Sequence, residues 1–353
     1  MNSCRVKIVG ATGYSGGELI TLLLRHPQVE IVGITASSVE QPTPIHHYWP
    51  ALRGQLDVPM TREVPGEAGK ADVIFTCVPH GAAMSIIPPY IEAGAIVIDL
   101  SADYRFNDPA EREGWYEGTH TSPELCAQAV YGMPELFRDA IPHAQLIANP
   151  GCYPTGSILS LYPGIQKGLI EPRGIHVSAA SGVTGAGKKP KPHLHHPELD
   201  QNFFAYRIGR HQHWPEITSV LRRATGQAVS LSFVPHVLPL QRGILSTIFC
   251  AKSRDLTLEA LHDAYRETYQ NEPFIRLYAL GEAPNLQAVC HTNFLDLSLH
   301  EDRTTGDLIL VSAEDNLVKG AAGQAVQNLN LRMGYPETLG LLAKGEVHTP
   351  SAV

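Results

Sequence analysis

The chain has 353 residues, 43% of them hydrophobic and 18% charged, with a formal net charge of −8. That length carries one large or two medium domains with a sizeable core, and the composition is ordinary for a globular protein. The acidic balance argues against nucleic acid as a partner, and no stretch approaches the roughly 20 apolar residues needed to span a bilayer.

The opening "MNSCRVKIVG" enters a strand-like run at once and leaves no room for a signal peptide. Six scattered cysteines form no CxxC pair, so free thiols in the cytoplasm are the expected state. Val6 to Val9 is a short apolar strand. Gly10-Ala-Thr-Gly13-Tyr-Ser-Gly16 follows, and then Leu19, Ile20, Leu22, Leu23 and Leu24 give a helix that stops at His26-Pro27. Strand, glycine turn and helix in this order open a dinucleotide fold. Glycines let the backbone approach a pyrophosphate, and the helix N-terminus attracts it. The spacing is GxxGxxG rather than GxGxxG, so the inference rests on the order of elements.

The next strand, "VEIVGITASS", ends at Ser37-Ser38 where an NAD-binding unit places an acid. Hydroxyls can donate to a ribose 2′-phosphate that a carboxylate would repel, so NADP is favoured. Glu40 close by keeps NAD as the alternative, and two serines can also simply begin a turn. "ADVIFTCVPHG" and "AGAIVIDLSADYR" read as further parallel strands. Ligands in such sheets sit beyond the carboxyl ends of the strands, which makes Cys77, Pro79, His80, Ser101 and Arg105 candidates to line the crevice. A guanidinium there suits a phosphate or carboxylate. A surface ion pair with Asp103 or Asp108 is the plainer reading of Arg105.

"AQLIANPGCYPTGSILSLYPGI" repeats the logic: a short strand, a turn, then a helix that Pro154 can start. Cys152 falls at or just before that helix N-terminus, where the partial positive charge favours a thiolate. A lone cysteine is usually a small buried hydrophobe. The Asn-Pro-Gly approach and the proline exit make this one a candidate nucleophile, which needs a proton partner. The histidine-rich segments "PHLHH", "GRHQHWPEI" and "VPHVLPLQRG" offer several. His211 and His213 would face the same way on an extended backbone. Their spacing could also hold zinc, but HExxH is absent and no cysteine pair is near, so no metal is expected.

Beyond Cys152 the pattern changes. "IHVSAAS", "AVSLSFVPHV" and "GILSTIFCAK" alternate like half-buried antiparallel strands, "TLEALHDAYRETY" is a helix with Leu258, Leu261 and Tyr265 on one face, and "TTGDLILVSAEDNL" is a further strand. "NLVKGAAGQAVQNLNLRMGYP" is a helix with small residues on one side, stopping at Gly334. The expected architecture is therefore α/β: a Rossmann-type domain over 1–151 and 316–353, and an α+β domain over 152–315 with a largely antiparallel sheet. The closing helix should return to the first domain and bring Asn316 near the crevice.

"GATGYSG", "DLSADYRF", "NPGCYPT", "SGVTGAG", "HQHWPEI", "VPHVLPLQRG" and "NLVKGAAGQAVQN" occur in this order across nearly the whole chain. Together they resemble the N-acetyl-γ-glutamyl-phosphate reductase family of arginine biosynthesis, within the aspartate-semialdehyde dehydrogenase-like superfamily. The superfamily's thiol normally stands in an Asn-Cys-Ser/Thr-Thr context, and Gly-Cys-Tyr-Pro-Thr here points to the glutamyl-phosphate branch. The resemblance implies NADPH-dependent reduction of an acyl phosphate to an aldehyde through a thioester on Cys152. It implies that Gly10, Thr12, Gly13, Tyr14, Ser15 and Gly16 cradle the pyrophosphate. Ser37 and Ser38 would meet the adenosine end, and Pro79, Ser181, Gly182 and Asn316 the nicotinamide side. Arg105 and Asn149 would serve the substrate, with Arg105 on the leaving phosphate. In the HxHxPE motif His211 is favoured as acid/base, with His213 and Glu216 shaping the pocket, and His213 and His236 are the alternative bases. An imidazolium beside the thiolate and an anionic substrate is expected. A homodimer or homotetramer joined through the antiparallel sheet is implied. The rival readings are a sister reductase for a carrier-linked aminoadipyl phosphate and a non-catalytic NADP-sensing regulator.

Overall fold

The computed structural model describes residues 3–253 and 256–342. Two compact units emerge: residues up to 151 together with 321–342, and residues 152–320. The part of the expected first domain that covers 343–353 lies outside the described residues.

The first unit is built on β1 (Cys4–Val9), β2 (Val29–Ala36), β3 (Met60–Arg62), β4 (Val73–Thr76), β5 (Ile96–Asp99), β6 (Val130–Tyr131) and β7 (Leu146–Ala148). Their order is β3-β2-β1-β4-β5-β7-β6 and every pairing is parallel. β4 is buried along its whole length, as strands covered on both faces are. The order turns back between β1 and β4, which is where open α/β sheets bind ligands.

The helix Tyr14–Leu23 buries Leu19, Ile20, Leu22 and Leu23 against this sheet and stops short of the expected His26. His26 is instead a buried link. Its Nδ1 accepts the Gln28 N–H (3.2 Å), so the proton sits on Nε2, which donates to Asn330 Oδ1 (2.9 Å). Asn330 belongs to the helix Gly323–Met333, which ends at Gly334 in the left-handed conformation (φ +70°), as the sequence suggested. Small residues are only part of what seats this helix. Gln324, Gln327, Asn328 and Asn330 are fully buried. Asn328 Nδ2 donates to Gly132 O (2.8 Å) and Gln324 Nε2 to the same oxygen (3.0 Å), so buried amides tie the helix to the chain beside β6.

The second unit has β8 (Ile175–Gly182), β9 (Phe204–Ala205), β10 (Leu231–Leu238), β11 (Ile244–Cys250), β12 (Ile275–Leu277), β13 (Leu295–Glu301) and β14 (Leu308–Glu314). The sheet order is β12-β13-β14-β11-β8-β10-β9. It is largely antiparallel, as expected, but mixed: β8 pairs with β10, and β12 with β13, in parallel. The alternation in β8 and β10 reports one buried face and is silent on direction. The helices Cys152–Gln166, His213–Thr225 and Leu258–Tyr269 pack against the sheet. Tyr265 and Tyr269 donate from the last of these to Ser160 O and Leu159 O (both 2.6 Å), joining two helices through buried hydroxyls. The other face carries cross-strand rows such as Val234–Ser178–Thr247–Val311 and Ser232–His176–Phe249–Ile309, with Phe249 43% exposed.

One glycine anchors the first unit. Gly10 has φ +89°, and a Cβ there would lie 2.3 Å from Cys77 O. Gly54 also has positive φ (+72°) but has open space around it. Gly10→Ala should therefore destabilise by about 3 kcal/mol or more, against about 1 kcal/mol for Gly54→Ala, as measured by urea unfolding.

Candidate active site

The glycine turn is held from beneath. Gly10 N–H and Ala11 N–H both donate to Thr35 O (2.8 and 3.1 Å), and Gly13 N–H donates to Gly10 O (3.2 Å). A Cβ at Gly16 would lie 2.6 Å from Gly10 O, so only glycine lets the helix start this close to the turn. Gly13 caps the helix in an extended conformation with no side-chain hydrogen bond. A Cβ there would lie 3.7 Å from Gly10 O and 4.0 Å from Cys77 O, in ordinary van der Waals contact. Thr12, Tyr14 and Ser15 are half-buried around it, and Ser37 and Ser38 form an exposed turn just after β2. Trp49, which sequence reasoning passed over, donates from Nε1 to Ala11 O (2.8 Å) and lies over Gly17.

Pro79 and His80 are exposed beyond β4. Asp103 fixes this loop by accepting Gly81 N–H (2.8 Å) and Ala83 N–H (3.2 Å), and it faces Arg112 at 3.4 Å. Asp99, buried at the end of β5, accepts hydroxyls from Ser101 and Thr76 (both 2.6 Å), and burial pushes its carboxyl up to about 6. Arg105 is buried and donates from Nε to Asn149 O (2.8 Å) and from NH2 to Leu100 O (3.1 Å). Asn149 is fully buried with its amide engaged: Nδ2 donates to Ala321 O (3.0 Å), and Oδ1 accepts from Asn328 (3.1 Å). Its geometry is that of a brace for Arg105 and the following loop rather than of a direct substrate contact.

In the second unit Cys152 is itself the first residue of its helix, with Pro154 in the first turn where a missing N–H costs nothing. Gly320 lies directly on it: a Cβ there would stand 2.8 Å from Cys152 Cβ. The turn carrying Gly320 is organised by Asp315. Its carboxylate accepts Leu317 N–H (2.8 Å) and His291 N–H (2.7 Å) and faces Arg242 at 3.4 Å. Gly320 N–H reaches Asp315 O (2.9 Å). Gly156, one turn into the helix, donates its N–H to Glu314 Oε1 (3.1 Å) on β14.

Around Tyr153 the side chains form an aromatic cluster. Its ring lies 5.6 Å from His211, 5.8 Å from His213 and 5.4 Å from Phe233. Tyr206 OH donates to Tyr153 OH (3.2 Å), which donates to His236 O (3.2 Å) and also hydrogen-bonds Ser181. The Tyr206 hydroxyl is pushed up to about 12, first by burial and in smaller part by the Cys152 thiol. Asn316 links Gly243 N–H (2.8 Å) to Thr184 Oγ1 (3.0 Å), and Gly182 has no room for a Cβ beside Arg242 N (2.6 Å). Tyr153, Tyr206 and Arg242 are additions to the candidates; Tyr153 and Arg242 lie within quoted motifs, whereas Tyr206 lies outside them.

The histidines depart from expectation. His211 and His213 are not on an extended strand. Gln212 is helical (φ −61°, ψ −17°), His213 begins the helix, and its N–H donates back to His211 Nδ1 (3.2 Å). The two rings stand 4.8 Å apart because a helix start folds the chain. His211 is buried, and that burial drives it down to about 3, with Arg207 adding to the effect. It is a neutral imidazole with its proton on Nε2, where an imidazolium had been expected. Glu216 is fully buried in the first turn of the same helix. The His236 ring stacks on Phe203 (5.0 Å, 23°). Among the described residues no three potential ligands gather as a metal site, and no helix is long and apolar enough to cross a membrane.

Two family models match: the semialdehyde dehydrogenase NAD binding domain over residues 5–144 and the semialdehyde dehydrogenase dimerisation domain over 152–316. An N-acetyl-γ-glutamyl-phosphate reductase from Desulforudis audaxviator is 45% identical over 345 residues, covering 97% of this chain and 99% of its own. One from Geobacter metallireducens is 46% identical over 338 residues, covering 95% and 97%. The chain belongs to the N-acetyl-γ-glutamyl-phosphate reductase family. Likeness at this level runs through both units, so family membership extends to the cysteine helix as well as the glycine turn. Among solved structures, aspartate semialdehyde dehydrogenase II complexed with ASA from Vibrio cholerae shares the fold (TM-score 0.73, 17% identity, 95% of this chain and 99% of that one). Aspartate semialdehyde dehydrogenase with NADP from Candida albicans does so at TM-score 0.70 and 16% identity, over 94% and 98%. For this family member the fold is thus that of a semialdehyde dehydrogenase.

The neutral His211 makes stability pH-dependent. Below the ordinary value of 6.5 the unfolded chain protonates this ring while the folded one does not. Stability is therefore complete above pH 6.5 and is lost as pH falls towards 3, by about 1.4 kcal/mol per unit at most. Urea unfolding at pH 7 and pH 5 should show this loss in the native chain and a smaller one in His211→Asn.

Proposed function

We infer that the chain reduces N-acetyl-γ-glutamyl phosphate to N-acetylglutamate semialdehyde with NADPH, releasing phosphate, in arginine biosynthesis. The observation that carries this reading is likeness to reductases of that name over nearly the whole chain, at 45–46% identity. The local chemistry agrees with it: a thiol opens a buried helix, and the next residue, Tyr153, packs against a neutral histidine.

The cofactor's fit rests on the uncapped helix at Gly13 and on the glycines that admit no Cβ. Gly10, Thr12, Gly13, Tyr14, Ser15 and Gly16 would hold the pyrophosphate by backbone N–H groups and hydroxyls. Ser37 and Ser38 take the adenosine end, and Pro79, Ser181, Gly182 and Asn316 the nicotinamide. When bound, the cofactor supplies a hydride to the thioester carbonyl.

Cys152 attacks the γ-carbonyl as thiolate and expels phosphate, leaving a thioester. Arg105, fixed by Asn149 O and Leu100 O, provides the positive charge for the departing phosphate. His211 donates its Nε2 proton to the oxyanion, as a neutral imidazole can, and takes a proton back as the thiohemiacetal collapses to aldehyde and free thiolate. His213 and Glu216 shape the substrate pocket. Asn149 acts by holding Arg105. Residues up to 151 with 321–342 are the NADP-binding domain, and 152–320 the substrate and oligomerisation domain. The enzyme is a cytoplasmic homo-oligomer joined through the uncovered sheet face around Val311 and Phe249, which the match to a dimerisation domain supports.

NADP reduction with N-acetylglutamate semialdehyde should require phosphate, and its absence of phosphate dependence would sink the reading. Cys152→Ala should lose turnover by about a thousandfold or more while still binding NADPH. Normal turnover in that variant would rule out the covalent route. Val311→Asp should shift sedimentation to a smaller species, since a dry sheet face does not accept an unpaired charge.

A further inference from the structure

β3 is the edge strand of the first sheet, and its register with β2 pairs Thr35 with Thr61 and Ala36 with Arg62. Arg62 therefore stands directly beside the last residue of β2, and the Ser37-Ser38 turn begins at the next position. Arg62 is exposed, and among the described residues it makes no hydrogen bond, ion pair or ring contact.

The backbone at this point is not free to drift. The next residue, Glu63, is sealed into a buried network. Thr35 Oγ1 donates to Glu63 Oε2, Tyr90 OH donates to Glu63 Oε1 (2.5 Å), and Lys7 Nζ lies 3.3 Å from Oε2. Lys7 also donates to Tyr90 OH (2.6 Å) and Glu67 O (2.8 Å). Successive side chains alternate across a strand, so Thr61 and Glu63 share the face of Thr35, and Arg62 takes that of Ala36. Thr35 is also the residue whose carbonyl holds the glycine turn. One buried network thus fixes the turn, the end of β2 and the position of Arg62 relative to both.

A dianionic phosphate needs more than hydroxyl donors. Ser37 and Ser38 offer hydrogen bonds but no charge, whereas a guanidinium offers both in a planar fork. We propose that Arg62 determines cofactor specificity by binding the ribose 2′-phosphate beside Ser37 and Ser38, a role that rests on the NADPH reading. The Glu63 network positions it, which is why a buried ion pair is kept at a sheet edge.

The test is the affinity of the full chain for NADPH and NADH, followed by nicotinamide fluorescence. The native chain should prefer NADPH. Arg62→Ala should weaken NADPH about ten- to a hundredfold and leave NADH within about twofold, with Arg62→Lys between. Inhibition by 2′-AMP should fall in parallel and inhibition by 5′-AMP should not. Equal losses for both cofactors, no loss for either, or a native chain without preference would overturn the proposal. These arms contain no acyl phosphate, so failure of the substrate assignment would be seen separately, in the phosphate-dependent turnover.

Discussion

A thiol that is also the first residue of a buried helix constrains everything packed around it. The helix Cys152–Gln166 is buried at most positions, so Cys152 cannot move without moving the core of its unit. Gly320 lies closer to Cys152 than any residue with a Cβ could. That contact in turn requires the turn from Asp315 to Gly320, which the Asp315 carboxylate holds by accepting backbone N–H groups. Gly156 extends the same requirement one turn on, letting the helix approach Glu314 on β14. A chain of close backbone approaches thus fixes the sulfur's position before any substrate arrives, which is the condition for an orienting contribution to rate.

Charge around the thiol is distributed differently from the first expectation. An imidazolium would be a simple partner for a thiolate, but burying it among Tyr153, Tyr206 and Phe233 would carry a desolvation cost, to which Arg207 adds. The ring stays neutral instead. A neutral imidazole keeps one proton in a defined place, because Nδ1 already accepts the His213 N–H. In the proposed mechanism such a ring would polarise a developing oxyanion without first neutralising the thiolate.

Much of this was legible in the sequence where the signal is local. Strand, glycine turn and helix at Val6–Leu24 and again at Gln145–Leu161 are each contained in a short window, and the structure has both. What the sequence could not carry depends on partners far along the chain. The parallel pairing of β8 with β10 is invisible to an alternation that reports only burial. His211 and His213 read as extended because a two-residue spacing says nothing of a helix beginning between them. The partners of the Asn149 side chain, Ala321 and Asn328, come from the other end of the chain and have no local signal. Arg62 drew no notice because its significance lies in a register, not a motif.

The two units solve the same problem in opposite ways. Each begins a helix at its functional residue and leaves the first N–H groups without an intrahelical partner. At Gly13 there is no side-chain cap, so no side chain of its own takes the first donors. At Cys152 the helix opens on the proposed nucleophile itself, preceded by Gly151, and Gly320 closes against it. The first arrangement suits an anion that must come and go. The second suits an anion that belongs to the protein and must be stabilised without being given away. The glycines at 13 and 320 therefore differ in what they permit: Gly13 starts its helix without a side-chain cap, and Gly320 admits a backbone approach to Cys152 that a Cβ would block.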